Sequence, residues 1–76
     1  MSKCFLFEVP KSFSVQQIQK LKENIRKQAF IELPTYADET HFEFLFDGEN
    51  LSEEKLRRTF KLSAEIKIID SSNYCH

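Results

Sequence analysis

The stretch HFEFLF (residues 41–46) places a phenylalanine at every second position. This period is typical of a β-strand, in which successive side chains point to opposite faces of the sheet. One face carries three aromatic rings, and the question is whether they are buried beneath a helix or exposed for stacking bases. The two faces of this strand are Phe42, Phe44 and Phe46 on one side and His41, Glu43 and Leu45 on the other.

Other segments of the chain show the same alternation. KCFLFEV (3–9) predicts a strand with Phe5, Phe7 and Val9 on one face, and Pro10 ends it because proline cannot donate to a ladder. AEIKIID (64–70) predicts a further strand with Ala64, Ile66 and Ile68 on one face, and FIEL (30–33), before Pro34, predicts a short edge strand.

Two segments predict helices. In FSVQQIQKLKENIRKQA (13–29), Ser14 and Gln17 have the spacing of a capping box at the start of the helix. LSEEKLRRTF (51–60) predicts a shorter helix capped by Ser52. The apolar stripe of the first helix comprises Ile18, Leu21, Ile25 and Ala29.

These elements predict a ferredoxin-like β-α-β-β-α-β order, which is an α+β two-layer sandwich with a short second strand. This topology places the first and third strands, the two richest in phenylalanine, at the centre of the sheet. If residues 30–33 form no strand, the alternative is a three-stranded βαβαβ sheet. We expect one domain over residues 1–70 and a disordered tail over residues 71–76.

We expect the phenylalanine face of the sheet to pack against the apolar stripe of the first helix. This packing removes both apolar surfaces from water at once, which is favourable. The opposite face then contains no aromatic platform, so binding of RNA on the sheet, as in RNA-recognition domains, is disfavoured. The face predicted to remain outside comprises Cys4, Leu6, Glu8, His41, Glu43, Leu45, Glu65, Lys67 and Ile69.

Charge is segregated along the chain, although the formal net charge is only −1. Residues 1–30 carry a net charge of +4, residues 31–54 carry eight acids and no base, and residues 55–76 carry a net charge of +3. Two interpretations stay open. The segments compensate one another within the fold, or the acidic middle forms a surface that steers a basic partner.

Few residues favour catalysis or cofactor binding. A single glycine excludes the phosphate-binding loops of nucleotide enzymes. Cys4, His41, Cys75 and His76 lack the spacing of a metal site. A nucleophile pair made of Cys4 and His41 on neighbouring strands is the catalytic alternative. We therefore predict a non-enzymatic protein with no metal and no cofactor.

No run of residues is long and apolar enough to span a bilayer, and MSKCFLFEVPKSF at the start lacks the features of a signal peptide. We predict a cytoplasmic protein that makes no membrane contact. In that compartment Cys4 and Cys75 would be reduced thiols. A bridge between them stays an alternative, although their spacing does not favour it.

The stretch FLFDGENLSEEKLRRTFKL (44–62), a quarter of the chain, resembles the strand–turn–short-helix passage of ubiquitin-like domains. The N-terminal hairpin of that fold is missing, because the first strand is followed by a helix. The resemblance therefore does not change the predicted order of elements.

Two classes of function follow. The first is an interaction module, of the kind that acts as a regulator or inhibitor, that binds a protein partner or forms a homodimer. Its predicted contact residues lie on the outer sheet face (Leu6, Glu8, Glu43, Leu45 and Ile69) and in acidic loops (Asp38, Glu39, Asp47 and Glu49). The alternative is weak nucleic-acid binding by the helix face, through Lys20, Lys27, Arg57 and Arg58.

Overall fold

The structure, a computed structural model, describes residues 2–34, 39–48 and 50–73. It confirms the predicted α+β class and the ferredoxin-like order of elements, and residues 31–33 do form a strand, so the three-stranded alternative is wrong. The elements are β1 (Ser2–Glu8), α1 (Val15–Arg26), β2 (Ile31–Leu33), β3 (His41–Asp47), α2 (Glu53–Phe60) and β4 (Lys67–Asp70).

The four strands form one antiparallel sheet in the order β2-β3-β1-β4, with β1 and β3 in the centre as predicted. Across the central pair, Phe5 lies opposite Phe44 and Phe7 lies opposite Phe42. Opposite residues of an antiparallel pair share a face, so the rings of the two strands gather on one side of the sheet.

Both helices cover this phenylalanine face. Ile18 and Ile25 of α1 and Leu56 of α2 belong to the same buried cluster as the rings, and Phe44 is 0% exposed. The rings contact one another closely, since Phe7 stacks on Phe42 with centroids 5.4 Å apart. The prediction that the rings are core is therefore confirmed, and a base-stacking platform on this face is excluded.

Local sequence explains where α1 begins and ends. Ser14 Oγ accepts a hydrogen bond from the Gln17 amide at 3.1 Å, and Gln17 Oε1 accepts one from the Ser14 amide at 2.7 Å, which completes the predicted capping box. At the other end, the amides of Gln28 and Ala29 both donate to the Ile25 carbonyl. This sharing ends the helix at Arg26, three residues before the predicted end at residue 29.

The last strand is shorter than predicted. Residues 64–66 form turns, and Ala64, expected on the buried face, is exposed. Arg57 explains the difference, because its guanidinium binds the carbonyls of Ser63 and Ile66 at 3.1 and 2.6 Å. The strand begins only at Lys67, after these contacts.

Two residues of the predicted disordered tail are held against the sheet. The amide of Ser71 donates to the Cys4 carbonyl at 2.9 Å, and Ser72 Oγ accepts from the Cys4 amide at 3.1 Å. Ser71 is buried. The expectation of a loose end therefore does not hold at these two positions, and residues 74–76 lie outside the described residues.

Candidate interaction face

The sheet face opposite the helices, here called the outer face, is built from rungs of side chains that lie opposite one another on neighbouring strands. At one end the rung is polar, and the two rungs of the centre are mainly apolar. The polar rung is His41–Glu8–Lys67, the first central rung is Leu33–Glu43–Leu6–Ile69, and the second is Ile31–Leu45–Cys4.

The apolar side chains of the central rungs are partly open to solvent. Ile31 and Ile69, on the two edge strands, are about half exposed, and Ile69 reaches 47%. Leu6, Leu33 and Leu45 are partly buried between them. Each of the four strands therefore contributes a partly exposed apolar side chain to this face, whereas Glu43 and Cys4 between them are only 6% and 1% exposed. Exposed apolar side chains grouped on one face are typical of an interaction site.

The structure brings two of the three predicted apolar contact residues directly together. Leu6 on β1 lies opposite Ile69 on β4. Leu45 lies on the neighbouring rung, opposite Cys4 on one side and Ile31 on the other. The three residues thus share the outer face, but Leu45 is diagonal to the other two.

Glu43 does not present its charge to solvent as the sequence predicted. Its side chain lies between Leu6 and Leu33 in the first central rung, and the residue is only 6% exposed. The hydroxyl of Ser71 donates a hydrogen bond to Glu43 Oε2. A buried carboxylate needs such donors, so Glu43 acts as a structural residue within the face.

The charged groups at the end of the face carry both signs. Glu8 Oε1 lies 3.8 Å from His41 Nε2, and Glu8 is the strand neighbour of the exposed Lys67. Thr40 Oγ1 contacts the other ring nitrogen of His41 at 3.1 Å. This mixture contrasts with a uniformly acidic rim.

The predicted acidic loops are only partly described. Glu39 lies in an exposed turn, and Asp47 is exposed at the end of β3, opposite Ser2. Asp38 and Glu49 lie outside the described residues. The described acids of the loops therefore flank opposite ends of β3 and do not form one cluster.

The helix-face basic residues divide into two groups. Lys20, Lys27 and Arg58 are exposed, and within residues 2–34, 39–48 and 50–73 they form no ion pair. Arg57 instead donates to Glu53 at 3.2 Å and to the two carbonyls of the α2–β4 loop. Arg57 is thus a structural residue, and the predicted basic surface loses one of its four members.

An ion-pair cluster ties α1 to the edge strand β2. Arg26 and Lys22 contact the two carboxylate oxygens of Glu32 at 2.6 and 3.3 Å, and Lys22 also lies 5.3 Å from the centre of the Phe42 ring. Burial acts to raise the pKa of Glu32. The Arg26 hydrogen bond and the Lys22 charge outweigh burial, so this pKa lies below its ordinary value.

Cys4 is disulfide-bonded and 1% exposed, which corrects the expectation of a reduced thiol. The other cysteine of the chain, Cys75, lies outside the described residues. A buried, bonded sulfur supplies no thiolate, so the nucleophile pair of Cys4 and His41 is not formed in this state.

A wide groove of about 690 Å³ lies beside the first turn of α1, and its lining includes Lys11, Ser14 and His41. Ser14 Oγ accepts the capping hydrogen bond from the Gln17 amide and is not paired with His41. Ser14 and His41 therefore do not form a Ser–His nucleophile arrangement in this groove. Within the described ranges, no three His, Cys, Asp or Glu side chains converge to hold a metal ion. In the same ranges, no helix is both long and apolar enough to cross a membrane.

Sequence reasoning missed three residues of the outer face. Ile31 and Leu33 belong to it because β2 pairs with β3, and their spacing of two within FIEL was the available signal. Ser71 was assigned to the tail, and no local pattern marks it as a donor to a residue 28 positions away. Comparison of the chain with models of protein families, with curated proteins and with solved structures finds no match.

Proposed function

We propose that this chain is a small non-enzymatic protein-binding module whose contact surface is the outer face of its sheet. One observation carries the proposal: each of the four strands places a partly exposed apolar side chain on the outer face, while the helices cover the opposite face. Apolar side chains that stay exposed after the core has formed lower the solubility of a domain. A partner that covers them removes this apolar surface from water.

The polarity of the face supports a protein partner over a nucleic acid. Apolar centres with polar rims are typical of protein interfaces, whereas nucleic-acid interfaces are strongly positive. On the outer face, Lys67 is the one exposed cation of the described residues, and it neighbours Glu8. A role as a regulator or inhibitor remains part of the proposal.

The test is capture of a partner followed by reconstitution. Proteins retained from a lysate by the wild type are identified, purified and titrated against the wild type and an Ile69→Asp variant by calorimetry. We expect the variant to bind at least about tenfold more weakly, because a charge is placed on a desolvated apolar contact. Equal affinities for both proteins would reject the outer face as the binding site.

Val15→Asp is the matched control. Val15 is 52% exposed, much like Ile69, but it lies in the first turn of α1 in the helix layer. Its substitution should leave the affinity unchanged. If both variants lose binding equally, the loss reflects general solubility or stability and not the outer face.

The second candidate is nucleic-acid binding by the helix face. It is favoured by Lys20, Lys27 and Arg58, which are exposed and form no ion pair among the residues that the structure describes. Such binding would be carried by phosphate contacts and would weaken steeply with salt. A gel-shift titration at low and moderate salt tests it, with Lys20→Ala, Lys27→Ala and Arg58→Ala combined in one variant and Lys67→Ala as the control. Equal affinity of the triple variant and the control would remove this candidate.

The cytoplasmic location stays a prediction, and one structural feature bears on it. Structural disulfides persist in oxidising compartments and are rare in the cytosol, and Cys4 is disulfide-bonded. Alkylation of the protein in intact cells, followed by mass spectrometry of the peptide that contains Cys4, distinguishes the two environments. A reduced Cys4 agrees with the cytoplasmic prediction, and a disulfide-bonded Cys4 contradicts it.

A further inference from the structure

We infer that the partner for which the outer face is best suited is the outer face of a second copy of this chain. The inference rests on the proposed function, because it names the partner of the same surface. The two copies lie face to face, related by a twofold axis in the plane between them, as in an isologous dimer.

The arrangement of rungs makes the face complementary to itself. The partly exposed Leu6 and Leu45 occupy the centre, with Glu8, His41 and Lys67 at one end and Ser2 and Asp47 at the other. A twofold axis through the centre, whether along or across the strands, therefore superimposes the apolar centre of one copy on that of the other. Sheets packed in this way lie about 10 Å apart, which lets the side chains interdigitate.

The charges at the polar end also suit a second copy. Glu8 has His41 as its neighbour on β3 and Lys67 as its neighbour on β4, so this rung places an acid between two basic side chains. A strongly basic or strongly acidic partner would meet a like charge there. If the twofold axis runs along the strands, this rung faces the same rung of the second copy in reversed order. Glu8 of each copy then lies opposite His41 of the other.

The area of the face sets the strength of the association. Four strands place the outer strand axes about 14 Å apart, so the face covers a few hundred Å² per copy. Stable complexes bury about 800 Å² per partner. We therefore expect a weak dimer, detected as a rise in mass with protein concentration.

Sedimentation equilibrium of the full chain over a wide concentration range tests the inference. The weight-average mass of the wild type should rise from that of one chain toward twice that value, and Ile69→Asp should keep the mass at that of one chain. Val15→Asp, equally exposed but in the helix layer, should associate like the wild type. A wild type that stays monomeric at every concentration overturns the inference.

Leu45 allows a test that does not depend on the direction of the twofold axis. Because β3 is a central strand, any twofold axis through the middle of the face brings Leu45 of the two copies near each other. Leu45→Asp and Leu45→Lys should each be monomeric alone, since like charges meet, and their equimolar mixture should recover the dimer. A mixture as monomeric as its components contradicts the face-to-face arrangement, and recovery also shows that both variants are folded.

The outcomes separate this inference from the proposed function. A monomeric wild type that binds a captured partner, and loses it on Ile69→Asp, overturns the second copy as partner but keeps the outer face as the binding surface. A wild type that dimerises with no effect of Ile69→Asp or the Leu45 variants overturns the face-to-face dimer, and the titration of the captured partner against Ile69→Asp then decides the proposed function separately.

Discussion

Glu43 lies almost fully buried in the sheet, and the hydroxyl of Ser71 donates a hydrogen bond to its carboxylate. A buried carboxylate has lost its hydration, so removal of one donor is costly. We expect Ser71→Ala to lower the free energy of unfolding by about 1–3 kcal/mol, measured by urea titration. Ser12→Ala, in an exposed turn, should leave it unchanged. Equal midpoints for both variants would show that the Ser71 contact contributes nothing.

The ion-pair cluster around Glu32 should make stability depend on pH. Burial acts to raise the pKa of Glu32, but the Arg26 and Lys22 contacts outweigh it, so in the folded chain this pKa lies below its ordinary value of 4.5. A lowered folded pKa gives a contribution that is fully present above pH 4.5 and is lost as the pH falls through the folded pKa. The stability difference between the wild type and Glu32→Gln should therefore shrink below that pH.

The Arg26–Glu32 pair is partly open to solvent, so its contribution to the free energy of unfolding is small, about 0.2–1 kcal/mol at neutral pH. A double-mutant cycle with Arg26→Gln and Glu32→Gln, measured by urea titration at several pH values, isolates it. A coupling energy that persists unchanged well below pH 4.5 would contradict this account.

At the scale of the elements, α2 ends in a strained residue. Lys61 has φ 53° and ψ 49°, a left-handed conformation that side chains with a Cβ disfavour and glycine tolerates. We expect Lys61→Gly to raise the free energy of unfolding by about 0.5–1 kcal/mol, as measured by thermal and urea titration. Lys61→Ala keeps the Cβ and serves as the control. A gain of the same size in the alanine variant would assign the effect to the lost charge.

Arg57 fastens α2 to the loop that precedes β4. Its guanidinium reaches two carbonyls and Glu53 at the same time, a geometry that the single ammonium of lysine does not reproduce. We expect Arg57→Lys to destabilise the fold by about 1–2 kcal/mol. Arg58→Lys, one position along on the exposed side of α2, should have no measurable effect. Urea titration of the two variants checks this, and equal stabilities would contradict an anchoring role.

The same residue shows why element boundaries were only partly predictable. The start of α1 follows from Ser14 and Gln17, which are three positions apart, so the sequence alone was sufficient. The start of β4 depends on Arg57, whose carbonyl partners lie six and nine positions away in a turn. The alternation of apolar residues predicted that the strand begins at Ala64. Such a local pattern contains no information about contacts made by Arg57, which lies in the preceding helix.

At the scale of the whole molecule, the fold and the two sheet faces were predictable because burial is a global requirement. The rings of β1 and β3 and the stripe of α1 are each apolar on one side only, and one arrangement hides them all. The candidate site was harder to predict from the sequence. Leu6, Leu45 and Ile69 were found by alternation, whereas the burial of Glu43 and the contribution of Ile31 and Leu33 depend on strand pairing and register.

The asymmetry between the two faces leads to the last prediction, which compares neighbouring residues on one strand. Phe44 is fully buried under the helices, and Leu45 points to the outer face and is partly exposed. Phe44→Ala should cost about 3–5 kcal/mol, because it removes a ring and leaves a cavity. A chain of this length has a total stability of about 4–11 kcal/mol, so the variant should be close to unfolding.

Leu45→Ala, measured by urea titration at a dilution that keeps the chain monomeric, should cost only about 1 kcal/mol, because its side chain buries less area. Phe44→Leu, which preserves most of the apolar volume, gives an intermediate cost and shows whether the alanine variant is still folded. If the two alanine variants were equally destabilised, the outer face would be a second core and not a surface free to bind a partner.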